Sequence, residues 1–150
     1  MVPPSEVQTF EDQGRQHIED AQTFSYNSNP PTSGPHRAQY VRWGAYKEEI
    51  AKETLVHNME HGGVIVWYNC RTARKTLTQT QCDELYRNLY STTQPLIDAG
   101  KEIVVSNYTG MNHIIALTAW TKLQTLEQFD LVEINKFIKN YERAFNPEGF

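Results

Sequence analysis

No apolar stretch in this chain is long: the longest run, Val64 to Tyr68, is far too short to cross a bilayer, and no membrane span is expected. Positive charge is scarce and scattered. Fourteen basic residues stand against eighteen acidic ones, for a formal net charge of -4. Without a basic stripe there is no electrostatic footprint for nucleic acid, and no nucleic-acid partner is expected. Cysteine occurs only at Cys70 and Cys82, and no CxxC pair exists, which excludes a thioredoxin-type redox centre and a four-cysteine zinc knuckle. There is no glycine-rich phosphate loop. No serine or cysteine lies in an elbow-like context, so covalent catalysis has no candidate. The opening Met1-Val2-Pro3-Pro4 lacks the charged and apolar regions of a signal peptide. The chain is expected either to be cytosolic or to begin after a removed targeting segment.

What is present describes a soluble globular protein: 150 residues, 39% of them hydrophobic, with a mean hydropathy of -0.62. A single domain over residues 1–150 is expected, long enough to bury a core of its own. Residues 1–50 read as mostly irregular chain wrapping an α/β core formed by residues 51–150. Tyr26 to His36 contains three of the seven prolines, Pro30, Pro31 and Pro35, which bias the preceding residues toward extended geometry. This predicts a stiff loop laid over a surface. Long, aromatic, proline-stiffened loops in small domains are usually functional.

Beyond that loop the periodicities alternate. A helix is predicted over Lys47 to His61, ended by Gly62-Gly63. Val64 to Tyr68 is fully apolar and β-branched, as a central strand should be. Asp83 to Ala99 places Leu85, Leu89, Leu96 and Ile97 on one helical face, with Pro95 predicting a kink or break. Ile103 to Val105 and Ile114 to Leu117 read as two more strands. Leu131, Ile134, Phe137, Ile138, Tyr141 and Phe145 follow the spacing of an amphipathic helix. The resulting order predicts an α/β (α+β) fold: a small mixed sheet with packed helices, the first crossover parallel and the next pair antiparallel. A thioredoxin-like topology without CxxC fits that order. Cys70 closes a strand and Cys82 opens a helix, so the polar segment between them can fold back and form a disulfide. Two free thiols are the alternative.

The candidate chemistry is in the histidines. His57 and His61 lie four apart in His57-Asn58-Met59-Glu60-His61, and a helix brings residues at that spacing onto one face, where both imidazoles can reach one metal ion. His36, after Pro35, is available as a third ligand. Met111 adds a thioether, and histidine with methionine suits copper, whereas zinc favours histidine with carboxylate or thiolate. Met59 points away from the His57 and His61 face and reads as core filler. Glu60 reads as an acceptor that orients an imidazole. The letters His57-x-x-Glu60-His61 also match an inverted zinc-peptidase signature with Glu60 as general base. His113 reads as a strand-edge histidine satisfied by solvent.

Asp12 to His17, Tyr26 to His36, Gly44-Ala45-Tyr46, Leu55 to Gly62 and Ala116 to Trp120 together resemble the bacterial domain-of-unknown-function 3105 family, over nearly the whole chain. The resemblance implies that His17, His36, His57, Glu60 and His61 belong to one shared site. It also implies an extracytoplasmic location, secreted, periplasmic or membrane-tethered, since members are typically of those kinds. The resemblance supplies no activity. Three readings follow. The first is a metal-binding protein, with copper as the expected ion, in metal handling or redox outside the cytoplasm. The second is a small zinc-dependent hydrolase, and the third a metal-free protein-interaction module.

Overall fold

The computed structural model describes residues 5–145 and 147. Its elements are β1 (Gln8–Thr9), β2 (His17–Ile18), β3 (His36–Arg37), β4 (Gly44–Glu49), α1 (Lys52–Glu60), β5 (Val64–Tyr68), α2 (Gln79–Asp98), β6 (Ile103–Asn107), β7 (Ile115–Ala119), β8 (Lys122–Leu126) and α3 (Leu131–Tyr141). Six strands form one mixed sheet in the order β1-β8-β7-β5-β6-β4, and β2 and β3 form a separate parallel pair. The apolar β5 is central. It pairs parallel with β6 and antiparallel with β7. The fold is therefore the expected mixed α/β type. The β5-α2-β6 crossover followed by the β7-β8 hairpin and α3 agrees with the thioredoxin-like order, and no CxxC is present.

Alternation along β5 explains the layering, because successive side chains in a strand point to opposite faces. Val64, Val66 and Tyr68 pack with Leu85 and Leu89 of α2 and with Ile134, Phe137 and Ile138 of α3. Ile65 and Trp67 pack with Leu55, Val56 and Met59 of α1 and with the partly buried Phe10 and Tyr26 from the N-terminal chain. Helices thus cover both faces of the sheet. The second face carries the N-terminal chain as well.

Four expectations need correction. Residues 47–49 are not helical, because they belong to strand Gly44–Glu49, which pairs parallel with β6, and α1 starts only at Lys52. Pro95 does not break α2, which runs to Asp98. It lies in the last turn, which closes with Ala99 N donating to Pro95 O and Leu96 O. Phe145 lies beyond α3 and stacks on Trp120, ring centroids 4.9 Å apart. The strand pairing also differs from expectation, since β6 and β7 flank β5 instead of pairing with each other. Strand β8 was not foreseen.

The cysteines form a disulfide, Cys70–Cys82, with Cα atoms 5.6 Å apart. It clips the segment between β5 and the first turn of α2. That turn is fixed by a capping box in which Thr78 Oγ1 accepts from Gln81 N and Gln81 Oε1 accepts from Thr78 N.

Candidate metal centre

Helix α1 is short and covered on both sides. Every residue from Glu53 to Glu60 is buried. Beneath it lies the sheet, and above it lies the proline loop, whose residues 30–36 are buried as well. Gly34, at φ +116°, lets the loop turn against the Tyr26 ring, and Tyr26 O–H donates to Pro35 O at 2.6 Å. Burial, and then the Glu53 carboxylate, push the Tyr26 phenol above its ordinary range. From the other side Asn58 bonds both backbone groups of Val41: its Oδ1 accepts from Val41 N at 3.0 Å and its Nδ2 donates to Val41 O at 2.8 Å.

This arrangement brings three segments to one point. His17 and His36 are register partners in the parallel β2-β3 pair, and His57 and Glu60 come from one turn of α1. Their ligand atoms all lie within 4.8 Å of one another. His36 Nε2 is 3.2 Å and His57 Nε2 is 3.9 Å from Glu60 Oε1. Around a zinc-like ion with bonds of about 2.0–2.1 Å, tetrahedral donors stand about 3.3 Å apart, so this donor set fits one ion.

The second nitrogens of two rings are held by the main chain. His36 Nδ1 is 2.9 Å from Gly34 O, and His57 Nδ1 is 2.9 Å from Arg37 O. A carbonyl can only accept, so in each neutral ring Nδ1 carries the hydrogen and Nε2 carries the lone pair. An imidazole fixed in this way by a backbone carbonyl is the usual companion of metal ligation. Glu60 is 3% exposed, and Arg15 Nη1 lies 3.7 Å from its Oε2. The His17 side is exposed, which leaves the group open to solvent.

The other expected residues fall outside this group. His61 caps the C-terminus of α1 and stacks on His57, ring centroids 4.8 Å apart and planes 10° apart. Four residues along a helix advance the side chain by about 40° and three retreat it by about 60°; here the three-residue spacing is the one that converges, so Glu60 stands among the donor atoms. Met111 is buried near the opposite end of β5, where Asn69 Nδ2 donates to its carbonyl, whereas Glu60 and His61 lead through Gly62-Gly63 into the strand's first residue. Met59 is fully buried in the core. His113 is not left to solvent, because its Nδ1 pairs with Glu127 Oε2 at 2.5 Å.

Two residues at the site were missed from sequence. Arg15 stands two before His17, the spacing that puts side chains on one side of an extended chain. Tyr40 is 57% exposed and lies against both His57 and His61, at 5.3 and 4.9 Å between ring centroids.

A family profile described as protein of unknown function (DUF3105) matches residues 17–149, which takes in all four donor residues. Neither the curated proteins nor the solved structures gave a match.

Proposed function

The chain belongs to the DUF3105 family, and from that footing we propose that it binds one divalent transition-metal ion through His17, His36, His57 and Glu60. The observation that carries this reading is the convergence of three imidazoles and a carboxylate within 4.8 Å, two of the rings being oriented by main-chain carbonyls. Imidazole with carboxylate suits zinc(II) and copper(II). Thiolate is absent from the set because both cysteines are in the disulfide. Of the two ions copper(II) is the one such donors hold more tightly, by the ordinary affinity order of divalent metals. The copper reading therefore concerns the oxidised ion, and a thioether from Met111 plays no part in it.

Metal handling in an oxidising compartment outside the cytoplasm is the setting we propose. The disulfide supports it, since such bonds persist chiefly in secreted and cell-surface proteins. The zinc-hydrolase reading has weaker support: Glu60 Oε1 lies at donor distance from two ring nitrogens, which favours it as a ligand over a general base.

Metal content measured on untagged protein after loading with copper(II) or zinc(II), followed by competition with a chelator, tests the proposal. One equivalent retained by the unaltered chain and lost by His36→Ala is expected. Less than about a tenth of an equivalent retained for either metal overturns it.

A further inference from the structure

Resting on that metal reading, we propose that the mouth of the site takes an oxyanion of the carboxylate or phosphate class, one oxygen on the ion as a fifth ligand and another on Arg15. Four observations lead there. Arg15 is 46% exposed, and its Nη1 to Glu60 Oε2 separation of 3.7 Å is too long for a hydrogen bond. Among the described residues its guanidinium donates no hydrogen bond, so the planar fork that pairs with carboxylate or phosphate is available at the mouth. His17 and Arg15, two residues apart, are both exposed, so the group's solvent-facing side lies at this stretch of chain. Charge favours the same occupant.

A divalent ion among three neutral imidazoles and one carboxylate leaves one positive charge, and Arg15 adds a second. The mouth is therefore positive on a chain whose net charge is -4, and a local field of this sign draws small anions in. A neutral ligand would gain a weaker hydrogen bond from Arg15 and no charge attraction. A cation would be repelled.

Cobalt(II)-loaded protein gives a visible spectrum that reports its ligands, and acetate and inorganic phosphate are the two probes. A saturable spectral change with either anion is expected. Arg15→Gln should keep cobalt stoichiometry while weakening anion binding by about tenfold or more, and Arg15→Lys, which keeps charge but loses the fork, should fall between. A spectrum indifferent to both anions, or equal anion affinity in Arg15→Gln and the unaltered chain, overturns this inference and leaves the metal reading standing. Failure of the unaltered chain to take up cobalt overturns both.

Discussion

His17 and His36 face each other across two parallel strands of two residues each, with ring centroids 5.2 Å apart and His36 N donating to Gln16 O at 2.9 Å. A pair of strands this short has no packing strength of its own. It persists because the proline loop is clamped on α1, and its product is two imidazoles presented to His57 and Glu60.

Ligand substitutions should therefore sort by position. His36→Ala and His57→Ala should each weaken metal binding by about a hundredfold or more, since losing even an orienting partner of a ligand costs roughly 10- to 100-fold. His61→Ala and Met111→Leu should retain one equivalent with affinity within a few-fold of the unaltered chain. Competitive titration against a chelator reads all four.

Metal should raise thermal stability. At a free concentration about 100 times Kd, one site adds about 2.7 kcal/mol, which for a chain of this size corresponds to roughly 5–10 °C in Tm. Calorimetry with and without a chelator measures the shift, and in His57→Ala, at the same free metal, it should fall to about 1 °C or less.

Opening the disulfide should cost about 3 kcal/mol in the chain-entropy account, because Cys70 and Cys82 are 12 residues apart and close a short loop. The double variant Cys70→Ala with Cys82→Ala should unfold at lower urea with metal stoichiometry unchanged, since the bond lies past the far end of β5 from the donors. Urea unfolding with a metal assay on the same sample checks both halves.

Alkali should destabilise the fold through its buried tyrosines. Burial, with smaller contributions from Tyr86 and Glu48, pushes the Tyr68 phenol up to about 12, and Tyr26 is raised in the same direction. The unfolded chain ionises these groups near pH 10. Between there and about 12 the folded state holds more protons, so the stability they contribute is complete below pH 10 and is lost as pH climbs through the folded value. Phenolate absorbance followed against circular dichroism should show late-titrating tyrosines ionising together with unfolding.

Much of the fold is legible from residue patterns, and the exceptions have physical causes. Strand β5 and helix α3 are apolar at the right spacings, so their faces announce themselves. Strand β8 reads Lys-Leu-Gln-Thr-Leu and does not, because Gln124 is buried with its Nε2 bonded to Ser5 O and Glu133 Oε1. Satisfied polar atoms remove the need for an apolar run. The site was half legible: the three histidines it draws on stand out as residue types, but the choice between Glu60 and His61 depends on how α1 is rotated against the proline loop. No local spacing encodes that rotation. The β2-β3 register, which delivers His17, is likewise a long-range pairing, and so is the position of Met111.

The carbonyls that orient His36 and His57 belong to Gly34 and Arg37, and a carbonyl oxygen is common to all residue types. No side-chain replacement at residue 37 deletes the acceptor. The protonation pattern of these two rings is thus written in the path of the backbone, and drift in the surrounding side chains can proceed without scrambling which nitrogen faces the centre. Only a change that reroutes the chain, at Gly34 for instance, reaches it.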